Sequence, residues 1–274
     1  MIGKPSIAGH IISGQDQLAA WLSYFFKARH RYGHGIHSPF VFDFITSVLN
    51  DRKHYDAYDV VMEYRKSMKK NRAVIGVTDF GAGSKTGAAG QRIVADIADH
   101  AAVNRKFGQL LYRLVQYYQP EQIIEFGTSL GISTHYLAAG NREASMRTFE
   151  ADPALAAIAA EGLKNHRLDH VQVICDTFDH ALQKWLSDIT GRTLVFIDGN
   201  HSRSATLKYA DFFLSRIPKD SIMVFDDIHW SAGMQQAWKE IQTREEITLS
   251  IDLFFMGIVF IKRDFFKENY TIRF

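Results

Sequence analysis

The run Ile123-Ile124-Glu125-Phe126-Gly127-Thr128-Ser129-Leu130-Gly131-Ile132-Ser133-Thr134 changes character twice. Residues 122–126 read as a short apolar strand. Gly127 to Gly131 read as a glycine-marked turn, and residues 132–139 as a helix. Strand patterns then recur at 147–150, 171–175, 193–198 and 221–226, with helices at 153–165, 178–186, 204–215 and 233–243 between or after them. Regular alternation of this kind predicts a parallel sheet with helices on both faces. The last two strands, 247–255 and 258–262, have only Met256-Gly257 between them and are expected to form an antiparallel hairpin.

Upstream the texture differs. Residues 15–29 carry Leu18, Trp21, Leu22, Phe25 and Phe26 at helical spacing, and 31–40 are broken by two glycines and a proline. Helices are expected at 41–49, 91–102 and 106–119, a charged surface helix at 55–70 and a short strand within 73–80. The fold class is therefore α/β: a Rossmann-like, doubly wound, seven-stranded, mostly parallel sheet with a C-terminal antiparallel hairpin. A mainly helical N-terminal extension (residues 1–105) precedes the sheet domain (106–274).

Composition narrows the classes further. Hydrophobic residues at 46% and charged residues at 23% fit a folded globular chain, not a disordered one. A net charge of +2 gives no global field toward nucleic acid or anionic lipid. The single cysteine, Cys175, excludes an intramolecular disulfide and a thiolate zinc cluster. Residues 1–14 lack a signal-peptide pattern, and no apolar run reaches the roughly 18 residues of a membrane span. A cytoplasmic location is expected.

In open parallel sheets ligands bind beyond the carboxyl ends of the strands, where strand order reverses. Gly127 and Gly131 let backbone approach a ligand closely, and the helix behind them offers free N–H groups. Thr128, Ser129, Ser133 and Thr134 add hydroxyls, and Glu125 closes the strand. Glu150 ends the next strand, where an acid can accept both hydroxyls of a ribose, and Asp176 ends the third, where it can accept from an adenine amino group. Each acid alone also reads as a helix cap or solvated loop residue. Three at successive strand ends are harder to explain that way. A second glycine run, Thr78-Asp79-Phe80-Gly81-Ala82-Gly83-Ser84, fits a cofactor turn superficially, but no strand with a terminal acid follows at the right distance.

The motif from Ile124 to Thr134 resembles the first motif of class I S-adenosylmethionine-dependent methyltransferases, most closely the catechol and caffeoyl-CoA O-methyltransferase branch. The resemblance covers residues 106–274, including the hairpin. It implies S-adenosylmethionine held by Glu125, Gly127, Thr128, Ser129, Gly131 and Ser133, with Glu150 as the ribose acid and Asp176 on the adenine side.

The fourth strand ends Ile197-Asp198-Gly199-Asn200-His201 and the fifth Phe225-Asp226-Asp227-Ile228-His229-Trp230. Adjacent strand ends would bring Asp198, Asp226 and Asp227 together, and three carboxylates repel unless a cation sits between them. Mg²⁺ or another hard divalent cation suits such oxygens. The resemblance puts metal ligands at all three positions, although Asp227 stands where the family has Asn. His201 stands where the family has its catalytic lysine, and can serve as a base, an orienting group or a helix-start residue. In the alternative reading, Asp198 holds the cofactor's amino group and Asp226 and Asp227 make loop hydrogen bonds. His229 and Trp230 either line an acceptor pocket or pack at a helix start.

The cluster His30, His34 and His37 with Arg29 and Arg31 reads as a metal-binding segment, a packed connector or a surface loop, and the extension as a substrate cover or homodimer contact. The expected function is methyl transfer to a small-molecule acceptor, by resemblance at oxygen, with no strong nucleic-acid signal. Two rivals stand beside it. A nicotinamide-dependent oxidoreductase calls for a tighter Gly-x-Gly-x-x-Gly turn and no terminal hairpin. An inactive binding protein of the same fold leaves the retained acids unexplained.

Overall fold

In the computed structural model, residues 14–77, 90–100, 102–261 and 266–274 are described. The glycine run 78–84 lies outside them. The elements run α1 (Gly14–Lys27), α2 (Pro39–Phe44, continued by a π-helical turn, Ile45–Leu49), α3 (Asp56–Lys70), β1 (Val74–Val77), β2 (Gly90–Ile93), α4 (Val94–His100) and α5 (Arg105–Tyr118). Then follow β3 (Gln122–Phe126), α6 (Ile132–Gly140), β4 (Ser145–Glu150), α7 (Pro153–Asn165), β5 (Val171–Cys175), α8 (Phe178–Lys184), β6 (Thr193–Ile197) and α9 (Arg203–Leu214). The chain closes with β7 (Ile222–Asp226), α10 (Ala232–Thr243), β8 (Ile247–Asp252), β9 (Met256–Ile261) and β10 (Glu268–Thr271).

The main sheet has the order β10-β8-β9-β7-β6-β3-β4-β5. Strands β3 to β7 are mutually parallel where they pair, β9 runs antiparallel to both β7 and β8, and β10 is parallel to β8. The sheet thus has eight strands, not seven. The added strand, Glu-Asn-Tyr-Thr, is short, polar and partly exposed, so it carries no hydrophobic alternation to announce it. The hairpin turn is also displaced: Leu253 to Phe255 form it, and Met256 and Gly257 lie in β9. Asp252 accepts from the Phe254 N–H (2.8 Å) and Phe254 takes a positive φ of 72°, while Gly257 packs under Trp238, whose ring would lie 2.6 Å from a Cβ there.

Strand alternation sorts side chains onto the two faces. Ile123, Phe196, Val224, Ile251 and Phe260 point to one face, covered by α5, α6 and the extension. Ile124, Phe126, Val195, Phe225 and Val259 point to the other, with residues of α8, α9 and α10. Each fully buried phenylalanine contributes roughly 1.5–3 kcal/mol of transfer free energy. Val41, Phe44, Ile45, Tyr58, Val61 and Tyr64 of the extension join the first of these cores, so α3 is not merely a charged surface helix. The expected helix at 91–102 is instead β2, paired antiparallel with β1, followed by α4. Among the described residues no helix is long and apolar enough to cross a membrane.

Strand order reverses between β3 and β6, because β3 pairs with β4 on one side and β6 on the other. The crevice this leaves lies at Gly127 and Asp198.

Candidate active site

The turn after β3 is held tightly against β6. The Asp198 N–H donates to the Phe126 carbonyl at 2.8 Å. A Cβ on Gly127 would fall 1.7 Å from the Asp198 carbonyl oxygen, and Gly127 has a φ of +104°, so no other residue fits without moving the two strand ends apart. Ser129 (φ 47°) and Gly131 (φ 76°) complete the turn into α6.

Glu125 does not line this turn directly. It points to the face covered by α6 and is fully buried. Its Oε2 accepts from the hydroxyls of Thr134 (2.6 Å) and Thr148 (2.7 Å), and Thr128 in turn donates to Thr148 at 2.6 Å. Burial pushes its carboxyl up to about 7, against the pull of those hydroxyls. Its Oε1 is buried with no hydrogen-bond partner among the described residues. An ammonium group or an ordered water would satisfy it. Ser133 and Thr134 are likewise buried beneath the loop. Thr148 was not singled out in the sequence. Its signal is a hydroxyl inside a strand, opposite Glu125 in register.

Glu150, at the end of β4, is bound into the same turn. Its Oε2 accepts from the Ser129 N–H (2.8 Å) and its Oε1 from the Asp152 N–H (3.0 Å). Burial raises its carboxyl above the ordinary range, partly offset by these backbone donors. Asp176, at the end of β5, is turned toward its own helix: it accepts from the Thr177 N–H, pairs with His180 Nδ1 at 2.7 Å and accepts from Trp185 Nε1 at 3.0 Å. Burial pushes its carboxyl up, but the Trp185, His180 and Thr177 donors outweigh that and hold it below the ordinary range.

The ends of β6 and β7 bring Asp198, Asp226, Asp227 and His201 together. Asp227 and Asn200, in the loops after β7 and β6, both take left-handed backbone (φ 54° and 47°). His201 Nε2 lies 3.6 Å from Asp198 Oδ1. Burial first, then the neighbouring carboxylates, raises Asp198 and Asp226 well above the carboxylate range, and the two carboxyls hydrogen-bond each other. Burial also raises Asp227, with His201 opposing, and lowers the His201 imidazole, with Asp227 opposing. His229, two residues further on, bonds Asp252 at 2.8 Å and stacks on Phe254. Asp252 was not foreseen, since it reads in sequence as an ordinary residue within the hairpin.

A cavity of about 390 Å³ opens beside His229, lined by Tyr24 and Lys27 of α1, Lys239 of α10, and Asp252. α1 is tied to the residue after β10, where Tyr24 donates to the Ile272 carbonyl at 2.6 Å. His34 and His37 are exposed and His30 partly so, with His30 Nδ1 bonded to the His34 carbonyl at 2.6 Å. Among the described residues no group of three or more His, Cys, Asp or Glu stands arranged to hold a metal ion.

Residues 124–228 match the model of a family described as a methyltransferase domain. Among curated proteins, none matches the sequence significantly. Solved structures share the fold. An O-methyltransferase from Bacillus cereus in complex with SAH is 18% identical with a TM-score of 0.54, the match covering 81% of this chain and 97% of that one. The O-methyltransferase TomG from Streptomyces achromogenes, in complex with SAM, is 17% identical (TM-score 0.53; 77% and 92% covered). The SAH-bound Podospora anserina methyltransferase PaMTH1 is 16% identical (TM-score 0.56; 93% and 100% covered).

Proposed function

From the premise that residues 124–228 form a methyltransferase domain on a class I fold, we propose that the chain transfers the methyl group of S-adenosylmethionine to an oxygen of a small-molecule acceptor. One observation carries this reading. The Gly127 turn, tied to Glu150 through Ser129, lies at the reversal of strand order, and the Asp198–His201–Asp226–Asp227 group lies at the same carboxyl end of the parallel strands.

The residues fit the donor's parts. Glu150 is the acid for the ribose, and its carboxylate is pre-aimed by two backbone N–H groups. The orphaned Glu125 Oε1 offers an acceptor beneath the turn for an amino group or a water bound to it. When bound, S-adenosylmethionine supplies an electrophilic methyl on a sulfonium. The acceptor hydroxyl is placed at the crevice beside His201 and Asp198. His201, kept neutral by burial, takes the proton of the acceptor hydroxyl as the oxygen attacks. The Asp227 carboxyl, whose charge favours the protonated ring, then stabilises the imidazolium that forms. Alignment of acceptor and donor supplies the rest of the rate.

A second reading adds a divalent cation at Asp198, Asp226 and Asp227, and the observation favouring it is the mutual repulsion of these three carboxyls. In kind the oxygens suit Mg²⁺, but in arrangement they do not enclose it as they stand, and the proton transfer above uses none. The second reading predicts that Mg²⁺ raises the melting midpoint of the wild type and not of Asp198→Ala.

Thermal melting with S-adenosylhomocysteine and with NAD⁺ tests the proposal. The midpoint is expected to rise with the first and stay fixed with the second. The opposite pattern would return the oxidoreductase reading.

A further inference from the structure

The turn that shapes the cofactor crevice is gripped from behind by the N-terminal extension. Tyr64, in the third turn of α3, is buried, and its hydroxyl donates to the Leu130 carbonyl at 2.7 Å. Its ring stacks on His135 of α6, centroids 4.2 Å apart and planes 25° from parallel. His135 Nδ1 bonds the Gly131 carbonyl at 2.5 Å, and its Nε2 meets His166 Nδ1 at 3.2 Å. A third element closes the clasp. A Cβ on Gly162 of α7 would fall 2.5 Å from the Tyr64 hydroxyl, so α7 leaves that space open for Tyr64.

The consecutive carbonyls of Leu130 and Gly131 are therefore both fixed by side chains from behind. These carbonyls belong to the turn whose Ser129 N–H holds Glu150. The methyltransferase-domain match begins only at residue 124, so α3 lies outside it. We infer that the extension is part of the cofactor site, and that Tyr64 is its positioning residue, acting through Leu130, His135 and Gly131 on the Thr128–Gly131 turn. Burial pushes the His135 imidazole down to about 4, in keeping with a neutral ring that can serve as a fixed hydrogen-bonding plate.

This inference rests on the cofactor reading above. The test compares two buried hydroxyls on the same helix. Tyr64→Phe keeps the stack and the shape and removes only the bond to Leu130. Tyr58→Phe removes a hydroxyl that meets Arg113 Nη1 at 3.4 Å, away from the turn. By titration calorimetry, Tyr64→Phe is expected to weaken S-adenosylhomocysteine binding about tenfold, equal to about 1.4 kcal/mol. Tyr58→Phe is expected to bind like the wild type. Gly162→Ala, which intrudes on the Tyr64 hydroxyl without removing a bond, is the second arm and is expected to show the same loss should Tyr64→Phe fail to fold. Tyr64→Phe at wild-type affinity, equal losses in Tyr64→Phe and Tyr58→Phe, or, where Tyr64→Phe cannot be measured, Gly162→Ala at wild-type affinity overturns the inference while leaving the cofactor reading intact. Absence of binding by the wild type itself overturns the cofactor reading, and this inference with it.

Discussion

His201 Nε2 stands 3.6 Å from Asp198 Oδ1, across the short loop that follows β6. The pair gives a neutral imidazole beside a carboxyl at the strand ends where the acceptor is placed. Burial holds the imidazole below its usual range, so the proton-accepting form persists on the acid side of the ordinary histidine pKa of about 6.5. The acid limb of the kcat profile is therefore expected below that value. His201→Asn should lower kcat by about 10²-fold or more and leave S-adenosylhomocysteine affinity unchanged. Single-turnover rates of the variant within twofold of the wild type would remove His201 from the proton step.

The carboxyls of Asp198, Asp226 and Asp227 are costly to the fold. Their folded-state pKa values are raised, so the folded state binds more protons than the unfolded state over the window above about 3.9. Stability conferred by the protonated forms is complete below that window and is lost as pH rises through the folded values. Asp226→Asn should accordingly raise the melting midpoint at pH 7–8, with the gain fading toward pH 4. A variant that is destabilised at pH 8 would show that the carboxylate is compensated in solution.

Gly127 has no room for a side chain. Gly127→Ala forces a methyl against the Asp198 carbonyl at a φ of +104°. A loss of about 3 kcal/mol or more in urea unfolding is expected, together with loss of cofactor binding. Unchanged stability would mean that the ends of β3 and β6 part easily.

Much of this architecture was readable beforehand, for identifiable reasons. Strands β3, β6 and β7 are buried on both faces and read as apolar runs, and an acid or glycine closes or follows each of β3 to β7, so their ends could be located and the acids counted. The convergence of Asp198, Asp226 and Asp227 followed from adjacent parallel strands alone. What escaped depended on tertiary context. β10 is partly exposed and short, and its pairing with β8 leaves no local trace. Met256-Gly257 reads as a turn, yet Gly257 is a glycine because Trp238 sits on it. Asp176 sits at the expected strand end, but His180 and Trp185, close by in sequence, claim its oxygens. Tyr64 lies on a helix with a charged face, and its grip on Leu130 spans residues far apart in the chain.

Glu150 joins the turn to the next strand. Glu150→Ala removes the acceptor for the Ser129 and Asp152 N–H groups as well as the ribose acid. Charge-assisted hydrogen bonds contribute roughly 1.5–3 kcal/mol each, so affinity for S-adenosylhomocysteine should fall about 100-fold or more. An affinity within threefold of the wild type would place the ribose elsewhere.

The most direct measurement is titration calorimetry of the full chain with S-adenosylhomocysteine and S-adenosylmethionine. Saturable one-site binding of both ligands is expected, tighter than millimolar and lost in Glu150→Ala. No heat of binding from either ligand at millimolar concentration would contradict it.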